Sequence, residues 1–221
     1  MAGSAASAAD FSVSVKNLTQ GIYFTPLLVA AHDGDNHLFQ SGETASSALQ
    51  AMAEGGSLDG LTVELDGIGG QYVANPAGGL LAPGASATTG VISTHDTDNN
   101  YLSVVAMMLP TNDGFIGLDS YKIPHEAGTY TININAYDAG TEANDEIVNG
   151  GGASGTPGIP AAPGGDAGTG GTGAAGADTN TSVHIHRGVL GDTDATGGVS
   201  DLDSRIHRWL NPVARVTITV Q

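Results

Sequence analysis

The sequence GTYTININAYDAGTEANDE, residues 128–146, is the stretch that most clearly decides the fold. Its first half alternates apolar and polar residues, which is the period-two pattern of a half-buried β-strand. Its second half carries Asp138, Glu142, Asp145 and Glu146 with no basic residue among them. Carboxylates this close repel one another unless counterions, a protein cation or a bound metal ion lie among them. The stretch therefore predicts a strand that ends in an acidic loop, and the partner of that loop stays open.

Short runs of the same strand-like kind occur along most of the chain. They read FSVSVKNLT, GIYFTPLLVAAH, GLTVELDG, ASATTGVIST, YLSVVAMMLP, TSVHIHRGV and VARVTITV, and Gly, Pro, Asn and Asp separate them. TASSALQAMAEGG is the one predicted helix, because Thr44 or Ser46 can cap it and Gly55 can end it. Many short strands with a single helix predict an all-β fold, namely an antiparallel β-sandwich.

The composition excludes several classes of function. Of the 221 residues, 23 are Asp or Glu and only 6 are Lys or Arg, which gives a formal net charge of −17. This charge argues against nucleic acid as a partner, because binding its backbone needs a cationic face. It is compatible with solubility in a salty medium or with cation binding. No apolar run is long enough to span a bilayer, and the absence of cysteine excludes disulfides and thiolate chemistry.

The organisation of the chain suggests one interrupted domain. Residues 1–10, MAGSAASAAD, lack the basic and apolar regions of an intact signal peptide and are interpreted as a leader or a signal remnant. Residues 11–221 are predicted to form a single domain, interrupted by the Gly/Ala/Pro-rich stretch 149–181. That stretch is too poor in large apolar residues to form a core, so we expect a long flexible loop or a surface ordered by assembly. The glycine-rich composition favours a secreted or cell-surface protein, with the periplasm as an alternative.

Four segments, in chain order, resemble bacterial members of the spondin N-type domain family. They are FSVSVKNLTQGIYFTPLLVAAHDGDNHLFQSGETAS, VVAMMLPTNDGFIGLDS, YDAGTE and NPVARVTITV, and they cover most of residues 11–148 and 182–221. The resemblance implies an antiparallel β-sandwich related in shape to C2 domains. It also implies a secreted module for adhesion or matrix interaction that binds calcium.

The resemblance further implies which residues bind the calcium ion. The family's ligands fall on Asp113 of the TNDG segment and on Asp138 and Glu142 of YDAGTE. Calcium takes six to eight hard oxygen atoms in a loose geometry, which carboxylates on two loops can supply. Glu142 stands where the family usually has Asp, and Tyr137 stands where it has Trp. Asp145 and the residue after it are left as solvated charge, and on the residues alone a solvated acidic loop remains the alternative.

A second acidic loop imitates an EF-hand. DTDATGGVSDLD, residues 192–203, places Asp192, Asp194 and Asp203 at positions one, three and twelve, with Gly197 at position six. A strand precedes this loop where an EF-hand has a helix, so an ordinary acidic turn is the alternative to a second calcium site.

The histidines suggest a different metal. SVHIHRG places His184 and His186 on one face of a strand, where two imidazoles can chelate copper, zinc or nickel, and His32 and His207 are candidate further ligands. A His-rich copper-binding surface protein is therefore one alternative function, and a subunit of an extracellular filament or matrix is another.

No catalytic motif supports an enzyme. The sequence contains no G-x-S-x-G elbow, phosphate-binding loop or H-E-x-x-H motif. We therefore predict a non-enzymatic protein whose partner is an extracellular protein, a glycan surface or another copy of the chain.

Overall fold

A computed structural model describes residues 9–177 and 180–221 of the protein. The predicted leader falls on residues 1–10, of which only Ala9 and Asp10 are described, and Asp10 already begins the first strand. The strands are β1 (Asp10–Asn17), β2 (Tyr23–Phe24), β3 (Leu28–His32), β4 (Gln71–Ala74), β5 (Ser86–Thr88), β6 (Ile92–Ser93), β7 (Tyr101–Leu109), β8 (Gly114–Lys122), β9 (Gly128–Asp138), β10 (His184–Ile185) and β11 (Ala214–Val220). The helices are α1 (Ser47–Gly55) and α2 (Asp59–Ile68).

The strands form one curved antiparallel sheet in the order β4-β3-β7-β8-β9-β11-β1-β5. The short strands β2, β6 and β10 pair with β7, β1 and β9 respectively. This architecture confirms the predicted all-β, antiparallel, sandwich-like fold.

Strand β7 separates two apolar cores. Val104 and Ala106 face the larger core, which also contains the inward residues of β1 and β11. Val105 and Met107 face a second core, which α1 and α2 cover. Both faces of the strand are buried, so its sequence is almost continuously apolar, as expected for a central strand between two layers.

The helical region differs from the prediction. The predicted helix forms as α1, with the Ser46 side chain capping it by accepting from Leu49 N at 3.1 Å. GLTVELDG, predicted as a strand, lies instead in α2. Leu61 and Leu65 are buried and four residues apart, whereas Val63 between them is 70% exposed, which is helical periodicity. In the described residues no helix is both long and apolar enough to cross a membrane.

The Gly/Ala/Pro-rich stretch lies against the domain along its described part, residues 149–177. Ile159 is fully buried and packs with Val189 and Leu202 in a small third core. Val148 and Ile159 also form a short parallel bridge that closes residues 149–158, the first part of the stretch, into a loop. Its described contacts therefore connect it to its own chain, although it forms no independent core.

Candidate metal centre

Two loops meet at one end of the sheet because the strands that carry them are neighbours. Gly114, the first residue of β8, pairs with Asp138, the last residue of β9. The Ala139 N–H donates to the Asp113 carbonyl across the two loops, at 3.2 Å. Thr111 closes the turn before β8, because its Oγ1 accepts from Gly114 N at 3.0 Å. This arrangement holds the backbones of Asp113 and Asp138 close together.

Asp113 uses only one of its two carboxylate oxygens. Its Oδ2 accepts from Thr141 N at 2.8 Å, from Thr141 Oγ1 at 3.2 Å and from Glu142 N at 3.2 Å. Its Oδ1 is buried and has no hydrogen-bond partner. The fully buried side chain therefore organises the loop after β9 and leaves one oxygen atom unsatisfied.

Asp138 is bonded through both oxygens. Its Oδ1 accepts from Gly140 N at 2.8 Å, and its Oδ2 accepts from Asn144 Nδ2 at 2.8 Å. The same Oδ2 lies 3.8 Å from His184 Nε2. Gly140 has a φ of 69°, and a side chain there would meet the backbone of Ser182, so glycine is required for this tight turn.

Glu142 resembles Asp113 in its bonding. Its Oε2 accepts from Gly158 N at 3.0 Å and from Asn112 Nδ2 at 3.3 Å. Its Oε1 is buried and has no hydrogen-bond partner. The carboxylate thus connects the loop before β8 with the Gly-rich stretch, which no sequence signal predicted.

The electrostatics of the site favour a positive charge. Burial, and after it the charge of Asp138, raises the pKa of Asp113 to about 7. Burial likewise raises the pKa of Glu142 to about 7. In the described residues, His184 is the one basic group within 4 Å of the three carboxylates, and it contacts only Asp138. A bound cation would lower both pKa values and stabilise the ionised carboxylates.

The donor atoms fit a hard cation, although they do not yet surround one. Carboxylate oxygens are the preferred ligands of calcium, and two of them here lack any other partner. Across residues 9–177 and 180–221, no three acidic or histidine side chains converge closely enough to hold a metal ion. Binding would therefore require the side chains to move closer together, and Asp138, whose two oxygens both accept hydrogen bonds, would exchange one of those bonds for a metal bond.

A family model described as Spondin_N matches residues 12–147. The chain belongs to the Spondin_N family. Spondin-2 of Rattus norvegicus is 27% identical over 127 residues, which cover 54% of this chain and 38% of that protein. The chain therefore spans well under half of this relative's length. The match confirms the resemblance for the first three segments, while the closing segment NPVARVTITV lies beyond the matched range.

Three aromatic rings support the site from the core of the Spondin_N domain. Phe39 contacts Phe115 edge-on, with ring centroids 5.1 Å apart, and lies 4.9 Å from the ring of Tyr137. Phe115 stacks on Tyr137 at 5.7 Å. Phe115 follows the Asp113 turn directly and Tyr137 precedes Asp138, so the rings fix where both loops leave the sheet.

Gly117→Ala should destabilise the protein by about 1–3 kcal/mol, because it overpacks this aromatic cluster. A Cβ atom at position 117 would lie 2.5 Å from Phe39 Cζ and 2.8 Å from Tyr137 Cδ2. Urea denaturation measures the loss. Gly67→Ala is the matched control, because a Cβ there meets nothing within 4 Å in helix α2, and it should leave stability equal or slightly higher. Equal stability of the Gly117 variant and the parent would contradict the packing argument.

Glu146 was predicted to be solvated charge, and that prediction is wrong. The side chain is 4% exposed. Its Oε1 accepts from Leu190 N at 2.6 Å, and its Oε2 accepts from Gly191 N at 2.9 Å and Ser200 Oγ at 2.6 Å. It therefore anchors the second acidic loop to the end of the first.

The carboxylates of the second acidic loop bind their own backbone. Asp192 Oδ2 accepts from Val199 N at 2.8 Å, and Asp194 Oδ1 accepts from Thr196 N at 3.1 Å. Asp203 is paired with Arg205, which lowers its pKa. These contacts are those of a folded acidic turn, and a second calcium ion at this loop stays a prediction.

The structure does not bring the four candidate copper ligands together. His32 ends β3 opposite Tyr101, whereas His184 pairs with Asp138 at the other end of the sheet, roughly 25 Å away by strand rise. The His186 ring packs against Trp209 at 5.0 Å. The Nδ1 atom of His207 accepts from a backbone N–H. The expectation of one site that uses all four histidines is therefore corrected, because His32 and His184 lie at opposite ends of the sheet and no three metal-ligating side chains of the described residues converge.

Proposed function

We propose that this Spondin_N domain is a secreted, non-enzymatic module for adhesion or matrix interaction, and that it binds one calcium ion. The observation that carries the proposal is the pair of unpartnered, buried carboxylate oxygens, Asp113 Oδ1 and Glu142 Oε1. Leaving such atoms unsatisfied costs free energy that a cation would recover. Membership of the Spondin_N family supports the extracellular, matrix-type role.

Calcium would be held by Asp113, Asp138 and Glu142. When bound, the ion supplies the positive charge that neighbouring side chains do not. Asp113 already accepts hydrogen bonds from Thr141 and Glu142, and Glu142 accepts one from Gly158. The carboxylates therefore connect three segments, and we expect the ion to fix these segments as one recognition surface.

The donor chemistry favours calcium over copper or zinc. The free atoms are carboxylate oxygens, which hard cations prefer, whereas imidazole and thiolate suit the transition metals. Among the described residues, His184 is the one basic side chain within 4 Å of these carboxylates, and its Nε2 lies 3.8 Å from Asp138 Oδ2, an oxygen that already accepts a hydrogen bond.

Calcium should raise the melting temperature of the protein. A ligand that binds only the folded state, at about 100 times its Kd, stabilises that state by about 2.7 kcal/mol, which corresponds to a rise of several degrees. Thermal unfolding in chelator, in millimolar calcium and in millimolar magnesium measures the effect, and calcium should give the largest rise.

Two variants locate the ion. Glu142→Gln should lose most of the calcium-induced rise, whereas Asp192→Asn, in the exposed second acidic loop, should keep it. An unchanged melting temperature of the parent protein in calcium would refute the calcium part of the proposal. Loss of the calcium-induced rise in melting temperature only in Asp192→Asn would indicate that the ion binds at the second acidic loop.

A further inference from the structure

Lys16 and Arg215 lie directly opposite each other on the solvent face of β1 and β11. Like charges at directly opposed positions destabilise a sheet. In the described residues, neither cation forms an ion pair with a carboxylate. A chain with only 6 Lys and Arg against 23 Asp and Glu nevertheless places two of those cations side by side. Local features that oppose stability concentrate at functional sites.

The two cations belong to a row that crosses four strands, here called the basic row. Asn133 is opposite Arg215, Arg215 is opposite Lys16, and Lys16 is opposite Ser86. All four residues are exposed. Arg215 Nε donates to Asn133 Oδ1 at 3.2 Å, which orients the guanidinium and uses one of its five N–H donors.

A second row beside it, the hydroxyl row, consists only of Thr and Ser. Thr131 is opposite Thr217, Thr217 is opposite Ser14, and Ser14 is opposite Thr88. Neighbouring strands are about 4.8 Å apart, and the two rows are about 6.7 Å apart along the strands. At one end of the hydroxyl row, Thr88 Oγ1 donates to Ser14 Oγ at 3.1 Å. The rows therefore form a regular array of hydrogen-bonding groups on the curved sheet, with positive charge along one edge.

The array continues without a carboxylate for one more row. Thr129, Thr219 and Ser12 follow in register. The first acidic residue on this side of β1 is Asp10, which lies 3.5 Å from His95 at the far end of the sheet. The paired positions of these rows therefore contain two cations and no carboxylate, in a chain with 23 acidic residues.

We propose that the basic row and the hydroxyl row together bind an anionic polysaccharide. Sulfate or carboxylate groups of the polymer bind Lys16 and Arg215, because cations and charge-assisted hydrogen bonds recognise both groups. Hydroxyl groups of the sugar rings exchange hydrogen bonds with the Thr and Ser side chains, each of which can donate and accept. This inference rests on the proposed matrix-interaction function and names the class of its partner.

The composition of the face favours a polysaccharide over other polymers. Stable protein interfaces are centred on buried aromatic or large apolar anchors, and these two rows contain none. Single-stranded nucleic acid requires aromatic stacking platforms, which the rows also lack. A hydrated, anionic and hydroxyl-rich polymer matches the groups that are present.

Binding of the protein, in buffer with millimolar calcium, to immobilised heparin, hyaluronan and neutral dextran tests the proposal. Heparin should bind most tightly and dextran weakest, and binding should weaken several-fold when the ionic strength rises from about 0.05 M to about 0.5 M. The double variant Lys16→Gln/Arg215→Gln should bind heparin about tenfold or more weakly. Its melting temperature should stay equal or rise, because the like-charge pair is removed.

The double variant Lys122→Gln/Arg187→Gln is the matched control, because it changes the net charge equally with two exposed cations outside the rows. It should bind heparin within about twofold of the parent protein. Equal weakening in both double variants, or no heparin binding by the parent, would overturn the proposal while leaving the calcium-dependent melting shift as a separate result. Self-association of the parent that only the Lys16/Arg215 variant abolishes would assign the face to a second copy of the chain and overturn the polysaccharide assignment.

Discussion

Phe115→Ala should lower the free energy of unfolding by about 3–5 kcal/mol. The side chain is fully buried and contacts Phe39 and Tyr137. Truncation leaves a cavity where β8 begins, directly after the Asp113 turn. The calcium-induced rise in melting temperature should shrink as well, because the cavity loosens the loop that carries Asp113. Urea denaturation with an unchanged m-value, followed by melts in chelator and in calcium, measures both effects.

Phe11→Ala is the matched control for position. Phe11 is equally buried but belongs to the other core, where it pairs with Val220 and Ile92 at the opposite end of the sheet. It should lose a similar amount of stability and keep the calcium response. A calcium response that falls equally in both variants would contradict a local coupling between the aromatic cluster and the metal centre. Phe115→Leu, which keeps most of the buried volume, should lose less than Phe115→Ala.

The strands that are best predicted from the sequence are those with one solvent-exposed face and one buried face. In β11, Val216, Ile218 and Val220 face the core while Arg215 and Thr219 face solvent. Such alternation encodes both the strand and its orientation. The long central strand β7 was also predicted, because its apolar run is bounded by polar turn residues.

Helix α2 and strands β4 and β8 escaped the prediction, and for α2 and β8 the reason is that local pattern and tertiary environment disagree. The run from Leu61 to Leu65 alternates like a strand, yet Leu61 and Leu65 are buried while Val63 between them is exposed, which a helix allows and a strand does not. Strand β8 was not predicted because both of its faces are buried at the start, from Gly114 to Leu118, and become half-exposed only later. Alternation is then absent where the strand begins.

Of the residues that form the candidate metal centre, the sequence predicted only the carboxylates. The resemblance placed Asp113, Asp138 and Glu142 in one site, and the structure brings their loops together through the pairing of β8 with β9. The resemblance could not predict the contact with Gly158, whose N–H donates to Glu142 and which lies in a stretch without a distinctive sequence pattern. It also missed the burial of Glu146, because an acidic residue in an acidic loop carries no sign of its tertiary partners.

Without calcium, the protein should be more stable at pH 5 than at pH 8, by on the order of 3 kcal/mol. Burial raises the folded-state pKa of Asp113 from 3.8, and that of Glu142 from 4.5, to about 7 in each case. Between the unfolded pKa values and about pH 7 these two carboxyl groups therefore bind more protons in the folded protein than in the unfolded chain, and their contribution to stability falls as the pH rises. Buried His32 and His207, whose pKa values burial lowers, contribute in the opposite direction and reduce the net difference. Urea denaturation in chelator between pH 5 and pH 8 measures the slope.

The carboxylates with lowered pKa values act outside this window. Hydrogen bonds and Arg205 lower the pKa of Asp203 to about 2, and hydrogen bonds lower that of Asp192. Their contributions to stability are lost only as the pH falls below about 4. A slope between pH 5 and pH 8 in chelator that is equal in the parent protein and in Asp113→Asn would contradict the raised pKa of Asp113, because the contributions of His32 and His207 cancel in this comparison.

Asp113→Asn separates two effects of the buried charge, namely the stability it costs without calcium and the stability it contributes when calcium is bound. The asparagine oxygen can keep the three hydrogen bonds of Oδ2, and its amide then occupies the position of the unpartnered Oδ1, near Asp138. In chelator at pH 8 the variant should be more stable than the parent by about 1–3 kcal/mol, with a flatter pH dependence. In millimolar calcium the order should reverse, because asparagine gives up the charged ligand. Lower stability of the variant in both conditions would mean that Asp113 acts only as a hydrogen-bond acceptor. A reversal with calcium would instead mean that the ionised carboxylate destabilises the ion-free fold and is compensated by the ion.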